Sequence, residues 1–235
     1  MLSLVYPQRF KFRKVTLNHI KNHQRLLQWM PTICIIFFAA LYYYSSTLYP
    51  GGSQADLSTS GFDWVHNYWS DLMNETGRNE QPNPAEPYAI VAMVIMCIGL
   101  MIFFIQFGAK FSEHRFWRYT IQIAGTLAMI CAILTFTEYH ATMIALSSFF
   151  GLFLLIGLIR EIYKSDMTLM KIGGVICVLL LIINNYIYFS RNFVDILPLL
   201  QKITFAIVLI WIVGLNAQLV KKHRQIAYKG QLQNG

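Results

Sequence analysis

Residues 88–109 read YAIVAMVIMCIGLMIFFIQFGA, a continuous apolar run from Tyr88 to Ala109 without one charged side chain. A helix crossing the hydrocarbon core of a bilayer needs about 20 mostly apolar residues. This run meets that length, and its lack of polar alternation rules out a half-buried strand. Outward from it, five more stretches have the same character: Pro31–Tyr49 (PTICIIFFAALYYYSSTLY), Trp117–Phe136, Ala141–Ile159, Ile172–Ser190 and Leu199–Val220. A spanning β-barrel would show short alternating segments instead. The expected fold is therefore all-α: a polytopic membrane protein with a six-transmembrane-helix bundle.

Composition agrees. Hydrophobic residues make up 56% of the 235 residues and charged residues 13%, against about 25% charged in a typical soluble domain. Cys34, Cys97, Cys131 and Cys177 all lie inside apolar runs without a C-x-x-C neighbour, which excludes a disulfide framework and a zinc knuckle.

The formal net charge of +8 is explained by orientation rather than by nucleic acid. Sixteen of the nineteen Lys and Arg residues fall on one side of the six spans. They are Arg9, Lys11, Arg13, Lys14, Lys21 and Arg25; Lys110, Arg115 and Arg118; Arg160, Lys164 and Lys171; and Lys221, Lys222, Arg224 and Lys229. The opposite side holds Arg78, Arg191 and Lys202. The positive-inside rule then puts both termini in the cytoplasm. The chain divides into a basic N-terminal segment (1–30), a six-helix domain (31–220) and a basic tail (221–235), with anionic lipid head groups as the natural partner of the basic ends. The first apolar run starts too late and runs too long for a cleaved signal peptide.

Four connections are short. The fifth, 50–87, is long and external in this orientation. It leaves the first span through PGGSQ and enters the second through NEQPNPAEP, whose prolines forbid a regular helix. Between them, residues 61–75 (GFDWVHNYWSDLMNE) place Phe62, Val65, Tyr68, Trp69, Leu72 and Met73 at helical spacing. That spacing predicts an amphipathic helix lying over the external mouth of the bundle. The glycines Gly125, Gly151, Gly157, Gly173 and Gly174 are expected to permit close helix packing.

Polar groups at membrane depth are costly, and in this chain they gather towards the external ends of the spans. The candidate ligand-binding residues are His66, Asn67, Ser70, Asp71, Glu138, His140, Asn184, Asn185 and Lys202. They suggest an outward polar cavity beneath 61–75 that binds a lipid or small polar ligand without catalysis. A second reading is a metal-assisted hydrolase acting on lipid near the outer leaflet. It would use His66, Ser70, Asp71, Glu138 and His140, with zinc held by His66, His140 and Asp71. A third is a small-solute or proton-coupled transporter. No motif demands a cofactor.

The six spans, the YPGG exit at Tyr49–Gly52, the segment HNYWSDLM at His66–Met73 and the Asn/Pro-containing entry to the second span resemble bacterial six-helix membrane proteins of unknown function. Those are in turn loosely similar to DRAM-type membrane proteins. The resemblance implies the topology and a bacterial cytoplasmic (inner) membrane, and it brings no activity with it. A weaker resemblance is to alkaline ceramidase-like membrane hydrolases, which gather Ser, Asp and His around a metal. Ser70, Asp71, His66 and His140 have those residue types. The chain departs from that pattern in having six spans and no H-x-x-x-H pair in a late span.

Overall fold

The computed structural model describes the backbone of residues 6–137 and 139–233, with side chains described over 26–137, at 139 and over 142–221. It is all-helical. The helices are α1 (Tyr6–Thr47), α2 (Glu86–Phe111), α3 (Arg115–Ile133), α4 (His140–Lys164), α5 (Thr168–Ser190) and α6 (Leu197–Gln233). Each contributes a stretch long and apolar enough to cross a membrane, from Leu26–Thr47 in α1 to Val194–Lys221, which takes in the first part of α6. Among the described residues there is no strand, only the isolated bridges Gly51 to Ser60 and Thr76 to Pro82. α1 begins ahead of residue 31 and α6 runs on past residue 220.

The core is organised on α2. Ala89, Ala92, Met96, Cys97, Phe103 and Phe107 are all buried. Contacts are dense between α1 and α2, α2 and α3, and α3 and α4, and sparse between α4 and α5. The α1–α2 approach depends on Gly99, where an added Cβ would come within 2.4 Å of the Cys34 Cβ. The same reasoning holds at Gly125 against Phe104, Gly157 against Ile121 and Gly173 against Trp211. Gly151 departs from the expectation: nothing lies within 4 Å of a Cβ placed there.

Polar side chains inside the spans tie helices together. Asn216 Nδ2 donates to the Gln28 carbonyl at 3.1 Å and to Thr32 Oγ1 at 2.9 Å, joining α6 to α1. Gln106 Nε2 donates to the Leu27 carbonyl and Gln122 Nε2 to the Ile105 carbonyl, both at 2.8 Å. In the absence of water, unmet donors are expensive, and these bonds satisfy them within the bundle. Buried Glu161 pairs with Arg160, whose guanidinium lies 4.7 Å from the centroid of the Trp117 ring.

The amphipathic helix expected over 61–75 does not form. The helical part is a 3-10 helix, Trp69–Met73, preceded by turns. Local side-chain bonds compete with the helix ladder. Asp63 Oδ1 accepts from the backbone N–H of Val65 (2.8 Å) and of His66 (3.2 Å). Asn67 Oδ1 accepts from the Asp63 N–H at 2.8 Å, and Asp71 Oδ2 from the Tyr68 N–H at 2.9 Å.

Candidate functional site

Residues 50–87 fold as a cap against one end of the bundle. The chain leaves α1 through Gly51 and Gly52, both at positive φ (133° and 80°). An added Cβ would meet the Thr59 carbonyl oxygen at 2.4 Å in the first case and the Asn79 nitrogen at 2.5 Å in the second. The YPGG exit is therefore a backbone requirement of the cap.

Asn67 and Asp71 form the centre. Both are buried. Asn67 Nδ2 donates to the Gly52 carbonyl at 2.9 Å and to Asp71 Oδ2 at 3.0 Å. The same carboxylate oxygen accepts from Arg78 Nε at 2.8 Å. That hydrogen bond raises the Arg78 pKa above its ordinary value. The Arg78 N–H donates to Tyr49 Oη at 3.0 Å, and burial pushes the Tyr49 phenol up. Asn83 Nδ2 reaches the carbonyls of Leu72 (3.2 Å) and Asn74 (2.8 Å), anchoring the 3-10 helix to the start of α2.

Side chains of α1 and α6 join the cap to the helices. Tyr42 Oη, on α1, donates to the Trp69 carbonyl at 2.5 Å. The Trp69 ring is embraced by Phe38, Tyr42, Trp64 and Phe205. Lys202, on α6, donates to the Asn67 carbonyl and, at 3.1 Å, to the Pro198 carbonyl. Its ammonium also lies 5.6 Å from the centroid of the Phe62 ring.

The structure thus brings Asn67, Asp71 and Lys202 together. His66 is joined elsewhere: its Nδ1 lies 2.7 Å from Asp63 Oδ2. Partial burial works against ionisation of Asp63, but the bonds from His66 and from the Val65 and His66 N–H groups outweigh it and hold the carboxyl below its usual value. Ser70 is half-buried in the 3-10 helix. Asn184 Nδ2 donates to Thr204 Oγ1 at 2.6 Å, clamping α5 to α6. Exposed Asn185 bonds the Leu181 carbonyl of its own helix. Glu138 and the side chain of His140 lie outside the described residues.

Of the expected zinc set His66, His140 and Asp71, the side chain of His140 lies outside the described residues. Asp71 Oδ2 accepts from Arg78, Asn67 and the Tyr68 N–H, and His66 Nδ1 lies against Asp63 Oδ2. Among the described residues no three His, Cys, Asp or Glu side chains gather as metal ligands.

Sequence reasoning passed over Arg78, Asn83, Asp63 and Thr204 as site residues. Their one signal was position: Asp63, Arg78 and Asn83 are polar residues in the same long loop as Asp71, and Thr204 is a polar residue two positions from Lys202. Three polar atoms at this end are buried without a hydrogen-bond partner among the described residues: Trp69 Nε1, Gln54 Oε1 and Asn184 Oδ1. No known protein family, curated protein or solved structure matches the chain.

Proposed function

We propose that the chain is a multi-pass membrane protein with both termini in the cytoplasm and residues 50–87 as an external folded cap. In this reading it binds a lipid or small polar ligand, without catalysis, where the cap meets α1, α5 and α6. The orientation rests on the distribution of Lys and Arg, sixteen of nineteen on the side away from the cap.

One observation carries the ligand reading. The Lys202 ammonium is buried and held by two carbonyl oxygens and an aromatic face, with no carboxylate in ion-pair contact among the described residues. A buried cation without a paired anion is expensive, so an acceptor group reaching it is bound strongly. The unmet Trp69 and Asn184 atoms support the same place. Trp69 touches Phe205, and Asn184 bonds Thr204, both within a turn of Lys202 on α6.

The test is native mass spectrometry of the full chain, purified in mild detergent and incubated with the polar lipid extract of the expression host. The wild type should retain a discrete molecule that Lys202→Gln and Asn184→Leu release. If both variants keep the same bound molecules at the same occupancy, the ligand site is not there.

A further inference from the structure

The ring of helices is not closed. α4 and α5 touch sparsely, and α5 holds to the rest through α6. In the most apolar window of each, only 17% of the residues are buried, against 44% in α2. Between α4, α5 and α6 lies a cavity of about 500 Å³, within the usual range for ligand pockets.

Its lining is apolar apart from one end. Ile162, Val175, Leu179 and Trp211 form the walls and floor, and Lys171 is the charged lining residue, with Tyr163 beside it. Val175 and Leu179 are exposed at 59% and 53%, so the cleft opens sideways, whereas Trp211 at its floor is 7% exposed. Trp211 is fixed there because its Nε1 donates to the Met170 carbonyl at 2.9 Å. The Lys171 ammonium lies 5.5 Å from the centroid of the Tyr163 ring. Lys164 stands exposed at the end of α4. Of the nearby acids, Glu161 is already paired with Arg160, and Asp166 is exposed in the connection.

We infer that this cleft is a binding site for a membrane phospholipid with an anionic head group. An acyl chain lies along Val175, Leu179 and Trp211, and the phosphate meets Lys171. The inference rests on the membrane placement proposed above and not on the outer ligand site. Three features select this occupant. The cleft opens to the side of a helix bundle, where the surrounding solvent is lipid hydrocarbon. The charge is confined to one end, as an amphiphile requires. The small residues that would let a second helix approach, Gly173 and Gly174, are spent on Trp211: added Cβ atoms would meet its ring at 2.6 and 3.2 Å.

The experiment uses the full chain in detergent with equimolar phosphatidylglycerol and phosphatidylcholine of identical chains, read by native mass spectrometry. The wild type should retain phosphatidylglycerol about fivefold over phosphatidylcholine, the effect of one basic residue at an anionic head group. Lys171→Gln should bring that ratio close to one. Val175→Trp, which fills the open cleft from an exposed position, should lower retention of both lipids. In a Lys202→Gln background, which empties the outer site, Lys171→Gln should lower the ratio as it does in the wild type, which separates this site from the outer one. Equal retention of the two lipids by the wild type, or an unchanged ratio in Lys171→Gln, overturns the inference. So does a dimer that excludes lipid and is lost in Val175→Trp, which would assign the cleft to a second copy of the chain.

Discussion

The ammonium of Lys202 donates to the main-chain carbonyl of Asn67, 135 residues earlier in the chain, and so locks α6 to the cap. Lys202 is buried in this contact. This lysine of an apolar helix is held by backbone carbonyls, and no carboxylate is in ion-pair contact with it among the described residues.

Lys202→Met removes that bond and leaves the Asn67 carbonyl unmet. A hydrogen bond to a charged group is worth about 2 kcal/mol. The variant should unfold at a lower temperature. Hydrogen exchange should rise in residues 62–74 more than in α2 or α3. Uniform exchange across the molecule would show that the contact does not hold the cap.

Asp71→Ala strips the acceptor from Arg78, Asn67 and the Tyr68 N–H at once. Arg78 is only half-buried, and losing a hydrogen bond to a charged group costs about 2 kcal/mol. The double variant with Arg78→Ala should be less damaging than the sum of the two single changes, as thermal unfolding in a double-mutant cycle would record.

Asn184→Leu breaks the clamp to Thr204. Interhelical bonds of this kind contribute about 1 kcal/mol in membranes. Removing the unmet Oδ1 offsets part of that loss. A small destabilisation is expected, together with loss of the ligand proposed to bind beneath the cap.

Asp63 has its carboxyl held below the usual value of 3.8. A depressed folded-state pKa stabilises above the unfolded value and loses that contribution as pH falls through the folded value. Acid unfolding of the cap should therefore begin below about pH 4. Asp63→Asn should remove that part of the pH dependence, seen as Trp64 and Trp69 fluorescence against pH. An unchanged acid profile would exclude the Asp63–His66 contact as its source.

Orientation is directly measurable because Cys34, Cys97, Cys131 and Cys177 are all buried. A membrane-impermeant maleimide should leave the wild type unlabelled in intact cells. It should label Ala55→Cys from outside, and Lys164→Cys only after permeabilisation. The reverse pattern would invert the topology.

The six long helices were legible in runs such as Tyr88–Ala109 because apolar length is a local property, and the orientation reading drew on the equally local placement of Lys and Arg. Asn67, Asp71 and Lys202 were legible as polar residues in costly places, and all three are buried. Their partners were not. Helical spacing in 61–75 suggested an amphipathic helix and a step from His66 to Ser70. Asp63 and Asn67 instead take the backbone donors of that stretch for turns, and His66 goes to Asp63. Whether Asp71 meets Arg78 or a histidine, and whether Lys202 finds a carboxylate or a carbonyl, depends on how far-separated segments pack. Likewise the weak α4–α5 seam appears only when the helices are placed, since their sequences are as apolar as the others. Sequence by itself determined which segments must leave water. Tertiary packing alone decided which polar atom answers which, because that choice is made across space, between groups whose spacing in the chain carries no period.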